Sequence, residues 1–332
     1  MSSFPAQHPD GTAGASGAAP LAVGVEVETG PVAAEAPRAP MSLGVGLFKE
    51  CRPKQWIKNL LVLTAPLASG TIDQRATLEH VGVAFAAFCL GASAVYYAND
   101  SLDVEADRQH PTKRFRPIAA GVIPVRLAWV CVVLLSLAAL GVAWIDNGAT
   151  LAVVAVYLLM HLSYSAWFKH VLVLDLALVA GGFLLRAMIG GVAAGIPLSQ
   201  WFLLTTGFGS LFMVAGKRYS EMVLMGEDAA TTRRSLAGYT PSYLRFIWQT
   251  MAGLTILTYS LWAFDLGIAD RAVHWHEISI VPWAFVFLRY AMFVDAGEAG
   301  EPEDVVLGDR VIMAIGAAWL ILFALGVFTN GH

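Results

Sequence analysis

The 332-residue sequence predicts an all-α, polytopic membrane protein, and three observations carry that expectation. First, 57% of the residues are hydrophobic and only 14% are charged. Soluble domains carry about 25% charged residues, so this chain lacks the polar surface to cover a water-soluble globule. Second, His80 to Asn99, Leu127 to Ile145, Asn147 to Phe168, Phe246 to Phe264 and Val311 to His332 contain no Lys, Arg, Asp or Glu. Each run approaches or reaches the roughly 20 residues a helix needs to cross a bilayer core. Third, the cations sort to one side of the spans.

In chain order, residues 1–44 read as a disordered cytoplasmic tail. Ala, Gly and Pro make up 21 of the first 40 residues, with Arg38 the one basic residue among them. Such a composition buries too little apolar surface to offset its ordering entropy, and no basic n-region precedes an apolar h-region as in a cleaved signal. Residues 45–332 are expected to form a catalytic domain of nine transmembrane helices around a central cavity, at roughly 56–72, 79–99, 126–145, 148–167, 174–194, 199–216, 244–264, 278–294 and 311–329. The fifth and sixth share one apolar run, divided at Gly195-Ile196-Pro197 because Gly followed closely by Pro punctuates a helix. The first is short and the eighth is interrupted by Arg289. Cys89 and Cys131 fall inside spans and read as small buried residues; with Cys51 they make an odd count without metal-ligand spacing. His274-Trp275-His276 reads as an exposed interfacial segment.

With the N-terminus inside, Arg75 and Arg271 fall outside and Arg186 falls within the fifth span, leaving 18 of the 21 basic residues on the cytoplasmic side. That bias is the positive-inside pattern. It predicts a multi-pass protein of the cell's inner (plasma) membrane with its N-terminus and its chemistry on the cytoplasmic face. Nothing points to nucleic acid, and the oligomeric state stays open between monomer and homo-oligomer.

The second span ends in Asn99-Asp100-Ser101-Leu102-Asp103-Val104-Glu105-Ala106-Asp107. On a continuous helix Asp100, Asp103 and Asp107 fall within an arc of about 60°. Like charges so close repel unless a cation neutralises them, and Mg²⁺ bridging a polyphosphate suits hard oxygen ligands. His110-Pro111-Thr112-Lys113-Arg114-Phe115-Arg116 follows directly, with guanidinium groups suited to phosphate oxygens. Acidic ligands followed within ten residues by a phosphate clamp describe a diphosphate site. The competing reading is a solvated helix end followed by an ordinary basic loop.

Three further clusters lie on the same side. Arg52-Pro53-Lys54-Gln55-Trp56-Ile57-Lys58-Asn59 opens the first span, as a membrane-entry anchor or a phosphate site. Tyr164, Lys169 and Asp175 surround the loop before the fifth span, and Arg186 lies eleven residues after Asp175, about three turns on and so on the same face. Intramembrane charges are expensive and mark function by default, the alternative being a buried structural pair. Gly216-Lys217-Arg218-Tyr219-Ser220-Glu221 follows the sixth span, then Arg233-Arg234 and Tyr239, as a site or a basic patch.

At these residues the sequence resembles the UbiA superfamily of intramembrane prenyltransferases, whose NDxxDxxxD motif matches Asn99 to Asp107. The likeness is closer to its branch of polyprenyl-phosphate phosphoribosyltransferases. It is carried by Arg52 to Asn59, Asn99 to Gly121, Gly190 to Ser199, Phe208 to Tyr219 and Gly300-Glu-Pro-Glu-Asp304, and covers the chain after residue 45. Many superfamily members carry a second acidic motif, DxxxD, in the fifth helix. Here Asp175 is followed four positions on by Val179, a departure that disfavours an allylic diphosphate held between two metal clusters.

The resemblance implies transfer of the 5-phosphoribosyl group from phosphoribosyl diphosphate to decaprenyl (polyprenyl) phosphate, a Mg²⁺-dependent step that supplies a lipid-linked precursor for cell-wall arabinan. Asp100, Asp103 and Asp107 would hold Mg²⁺, with Asn99 beside them. Lys113, Arg114 and Arg116, together with Tyr164, Lys169, Asp175 and Arg186, would bind the donor. Lys54, Lys58, Asn59, Lys217 and Arg218 would bind the lipid phosphate, although the two basic sets could exchange roles. Prenyl transfer to an aromatic acceptor is the alternative enzyme, and a transporter using the same charged cavity is a third reading.

Overall fold

The computed structural model describes residues 41–225, 238–266 and 273–330. The expected tail lies outside these residues up to Pro40, as do Arg233, Arg234 and Arg271. Every regular element among the described residues is helical.

Helix α1 (Leu43–Glu50) is capped by Ser42, whose Oγ accepts from the Val45 N–H. Leu43, Val45 and Phe48 are exposed on it, while Gly46 and Glu50 are buried. This is the pattern of a helix lying along an apolar–polar boundary. A 3₁₀ segment (Pro53–Leu63) leads into α2 (Thr64–Ala68), then come α3 (Arg75–Leu102) and the short α4 (Val104–Gln109). The rest of the bundle is α5 (Val125–Asp146), α6 (Gly148–Ala166), α7 (Leu174–Ala193), α8 (Gln200–Met225), α9 (Pro241–Leu266), α10 (Trp275–Asp295), the short α11 (Pro302–Gly308) and α12 (Arg310–Asn330).

Six of these, α3, α5, α6, α7, α10 and α12, are long and apolar enough to cross a membrane. Helices α8 and α9 have 26 residues each and pack along one another. The first expected span differs: it is the 3₁₀ segment and α2, not a continuous α-helix. Pro66 has no N–H to offer the Val62 carbonyl four residues earlier, and that carbonyl turns instead to Gly190 of α7, where an added Cβ would stand 1.8 Å from its oxygen. The expected break between the fifth and sixth spans falls where α7 ends at Ala193 and Gly195 takes φ +67°. Arg289, which interrupts the eighth expected span, reaches Asp309 at 2.8 Å, so its charge is paired at the end of α10 and not left in the apolar layer.

The interior divides at α7. On one side Val62, Phe88, Tyr157 and Ile189 form an apolar cluster from the 3₁₀ segment, α3, α6 and α7. On the other, Phe212, Tyr219, Leu244, Trp248 and Val294 join α8, α9 and α10. A third cluster, around Tyr97, Ile118 and Ile123, packs the loop after α4 against α3 and α5. Together these fix the ends of α1, α3, α7 and α8, from which the charged side chains project.

Gly190 therefore carries the junction between the first segment and α7. Gly190→Ala should lower the melting temperature of the detergent-solubilised protein by several degrees, because the obstacle is backbone. Gly82→Ala has nothing within 4 Å of its new methyl and should be neutral or slightly stabilising, as expected for Ala over Gly in a helix.

Candidate functional site

The three carboxylates of the Asp motif are not left facing one another. Helix α3 ends at Leu102, and Asp103 (φ −97°, ψ 10°) is the hinge between α3 and α4. The single-helix arc of the sequence reading is broken there, because Asp103 leaves helical geometry. Asp100 and Asp107 stay together and are buried. Arg116 Nη1 donates to Asp100 Oδ1 at 3.1 Å and to Asp107 Oδ2 at 2.6 Å. Arg52 donates to the other Asp100 oxygen, and Asn99 Nδ2 reaches Asp100 Oδ1 at 3.5 Å. Asp103 turns the other way and pairs with Lys169. The repulsion anticipated from the sequence is thus balanced by three cations from three different segments.

Arg52 has a left-handed backbone (φ 52°, ψ 59°) immediately before Pro53. That conformation costs of order 1–3 kcal/mol for a non-glycine residue, and here it accompanies the placement of the guanidinium on Asp100. The same guanidinium stacks over the Tyr96 ring at 4.7 Å. Beside this pair is a cavity of about 320 Å³, lined by Glu50, Arg52, Asp100, Thr112, Phe115 and Arg116 among others.

Glu50 is a residue that sequence reasoning missed. It is 1% exposed, and its Oε1 has no hydrogen-bond partner. Burial first, then the neighbouring Asp100 carboxylate, push its carboxyl up to about 8, against the opposing pull of Arg52 and Arg116. The available signal was its position on the inner face of an amphipathic helix two residues before Arg52.

Asp175 and Arg186, which the sequence places on one face of α7, do not meet. Asp175 accepts from the Tyr239 hydroxyl and lies 3.4 Å from Arg218 Nη2. The Tyr239 oxygen also accepts from the Val173 N–H at 2.6 Å, and Val173 holds φ +68° at the head of α7. Arg186 points into the bundle. Its Nε donates to Asn59 Oδ1 at 2.9 Å, Nη1 to the Gly182 carbonyl at 3.0 Å and Nη2 to the Tyr157 hydroxyl at 2.8 Å. These acceptors are all neutral, so the guanidinium is hydrogen-bonded but no acid among the described residues pairs with its charge. Such a group is costly unless an anion joins it.

Of the remaining candidates, Lys58 lies 3.4 Å from Glu303 and Lys217 lies 3.1 Å from Glu301. Lys54 and Arg114 are exposed, with Arg114 over the Phe115 ring. Lys113 stands half-buried in the short turn before Arg116, and Tyr164 half-buried in the last turn of α6. Tyr96 stands beside the carboxylates, with the Arg52 guanidinium over its ring at 4.7 Å. The arrangement gathers carboxylates and guanidinium groups at one end of the bundle, with lysines paired to acids beside them. Among the described residues no three acid, His or Cys side chains form a closed metal cage. Asp100 and Asp107 already share one cationic centre through Arg116, and their hard carboxylate oxygens are of the type that Mg²⁺ takes.

The chain matches the UbiA prenyltransferase family over residues 60–308. It is 49% identical over 294 residues to the decaprenyl-phosphate phosphoribosyltransferase of Corynebacterium glutamicum, covering 87% of this chain and 89% of that protein. With the protein of the same name from Mycolicibacterium smegmatis it shares 50% identity over 292 residues, 85% of this chain and 92% of the other. Among solved structures, a UbiA homolog from Archaeoglobus fulgidus bound to GPP and Mg²⁺ superposes with a TM-score of 0.64 at 17% identity, over 86% of this chain and 99% of that one.

Glu50 gives the site a pH signature. Its folded-state pKa lies near 8 and its ordinary value is 4.5, so the unfolded chain releases this proton first as pH rises. The group's contribution to stability is complete below its ordinary value and is lost as pH climbs toward about 8. In EDTA, wild-type melting temperature should fall from pH 5 to pH 8 more steeply than that of Glu50→Gln, which carries no titrating proton. Equal slopes would show that Glu50 is ionised in the folded protein.

Proposed function

The chain belongs to the UbiA prenyltransferase family, and we propose that it is a transferase moving the 5-phosphoribosyl group from phosphoribosyl diphosphate to decaprenyl (polyprenyl) phosphate, with release of diphosphate. The observation that carries this reading is the 49–50% identity, over 85% or more of the chain, to relatives bearing that activity in their name. The lipid product is the kind of activated pentose that cell-wall arabinan assembly (arabinogalactan, lipoarabinomannan) consumes. The protein is integral to the membrane by its apolar helices. We place it in the plasma membrane with residues 1–44 as a cytoplasmic tail and the site of residues 45–332 facing the cytoplasm, as the positive-inside bias favours.

In the reaction a lipid phosphate oxygen bonds to the anomeric carbon while the bond from that carbon to the diphosphate oxygen breaks. Negative charge builds on the leaving diphosphate, and oxocarbenium character on the sugar. Asp100 and Asp107 would hold Mg²⁺, with Asp103 as a further ligand if its side chain left Lys169, and the ion would supply neutralisation of phosphate charge without any proton transfer. Arg116, which bridges Asp100 and Asp107, and Arg52, which pairs with Asp100, would be free to bind donor phosphate oxygens with these carboxylates on a metal. Lys113 and Arg114 extend the same cationic surface, Lys169 follows Asp103, and Asn99 orients Asp100. Tyr164 borders the donor side. Asp175 acts at one remove, holding Arg218 through its ion pair. Arg186, hydrogen-bonded only to neutral groups, supplies a buried positive charge for a phosphate approaching from the apolar side.

Lys54, Lys58, Asn59, Lys217 and Arg218 suit the lipid phosphate at the membrane boundary. A phosphate monoester is largely ionised at neutral pH, so no general base is needed and positioning supplies much of the rate. Attack opposite the leaving group inverts the anomeric configuration. Prenyl transfer to an aromatic ring is the weaker reading. Val179 stands where a second carboxylate would be needed, and Asp175 is taken up by Tyr239 and Arg218.

Purified protein with Mg²⁺, labelled phosphoribosyl diphosphate and decaprenyl phosphate should yield labelled lipid with inverted anomeric configuration. Asp103→Asn should reduce the rate by roughly 100-fold or more, the scale of losing a charge-stabilising ligand. Consumption of an allylic diphosphate with an aromatic acceptor, and no label in polyprenyl phosphate, would establish the alternative.

A further inference from the structure

The start of helix α11 carries two acids, Glu301 at its N-cap and Glu303 in its first turn, that hold the lysines read above as lipid-phosphate ligands. Glu303 Oε1 lies 3.4 Å from Lys58 Nζ, and Glu301 Oε1 lies 3.1 Å from Lys217 Nζ, which also has Glu221 at 4.0 Å. Lys58 belongs to the 3₁₀ segment and Lys217 to α8, so one short acidic segment joins cations from the two sides of α7. Partial burial pushes the Glu303 carboxyl up. Its own backbone hydrogen bond and the ammonium groups of Lys58 and Lys217 outweigh this and hold it below its ordinary value. Both lysines therefore act on Glu303, and the four side chains form a single charge cluster. The cluster is reachable: Lys58 and Lys217 are 29% and 30% exposed, Glu303 and Glu301 35% and 61%.

A lysine pair at the cytoplasmic membrane boundary faces a leaflet of anionic phosphodiester headgroups, each attracted to basic residues. An acceptor lipid carrying a monoester must be selected against that excess. We propose that Glu301 and Glu303 are a charge filter, which keeps monoanionic phosphodiester headgroups off Lys58 and Lys217 and yields to the phosphate monoester of a polyprenyl lipid. This rests on the reading that these lysines hold the acceptor phosphate.

The two headgroups differ in what they gain by exchange with a carboxylate. A diester headgroup carries a single negative charge, so replacing a carboxylate with it gains no charge. It also competes with an anion tethered at high effective concentration. A monoester carries about −1.5 to −2 at pH 7 and three strong acceptor oxygens, so the same exchange gains both charge and hydrogen bonds. Ion pairs this exposed are individually weak, which lets the dianion displace them.

The test uses the full-length protein in neutral detergent, with phosphatidylglycerol as the competing diester. Native mass spectrometry should find phosphatidylglycerol retained by Glu301→Gln/Glu303→Gln but not by wild type. Glu303→Asp, which keeps the charge, should exclude it as wild type does. In mixed micelles, phosphatidylglycerol should raise the KM for polyprenyl phosphate by roughly tenfold in the double Gln variant, with kcat unchanged and little effect on wild type. Equal retention and equal inhibition in wild type and variant would overturn the filter. Should the double variant fail to fold, each single Gln variant carries the same test at smaller effect. Lipid retention is read without turnover, so a chain that transfers no phosphoribosyl group would refute the function while the mass spectra still judge the filter.

Discussion

One end of this bundle is organised by one electrostatic constraint: carboxylates removed from water must be matched by cations. Asp100 and Asp107 are buried, and ionised groups in such surroundings persist only when paired and hydrogen-bonded. The matching cations come from distant points of the chain. Arg52 precedes the 3₁₀ segment, Arg116 lies in the loop after α4, Lys169 follows α6 and Arg218 sits in α8. Each pair therefore ties two elements together at the same end of the fold. The strained backbones at Arg52 and Val173 lie at two of these ties, one holding Asp100 and the other connected through Tyr239 to Asp175.

The same constraint explains how a site built for stability also serves chemistry. Guanidinium groups that neutralise carboxylates are the groups that bind phosphate bidentately once a metal takes the carboxylates. In the proposed reaction, exchange of partners would keep Asp100, Asp107, Arg52 and Arg116 compensated by one another or by the incoming groups. Arg186 differs, since among the described residues its hydrogen bonds go to Asn59, Tyr157 and a backbone carbonyl. The acids of α11 extend the same logic to the lysines at the boundary, where balance must be struck against the surrounding lipid.

Much of this was legible in the sequence because hydropathy and helical period are local properties. The charge-free runs from Leu127 and Val311 become α5 and α12, and Gly195 with Pro197 marks the turn between α7 and α8. The acidic and basic residues from Asp100 to Arg116 were read as metal ligands and a phosphate clamp; in the structure Arg116 pairs with Asp100 and Asp107. What was not legible depends on departures from ideal helices and on long-range partners. Asp103 leaves the helix, so the arc computed on a continuous helix does not hold. Asp175 and Arg186 share a face, but pairing is decided by α8 and Tyr239, which periodicity within α7 does not reveal. The 3₁₀ segment follows from Pro66 and from the approach of Gly190, 128 positions after Val62. Glu50 is an acid on a short amphipathic helix, and its burial comes from the loop packed over it.

Calorimetric titration of phosphoribosyl diphosphate into the purified protein, with and without Mg²⁺, tests the central claim most directly, because partner exchange requires metal and donor to arrive together. The account predicts donor binding at least about tenfold tighter with Mg²⁺ than in EDTA, a coupling of roughly 1.4 kcal/mol or more. Equal affinity in the two conditions would mean that the cations hold donor phosphates without giving up the carboxylates, and would contradict it.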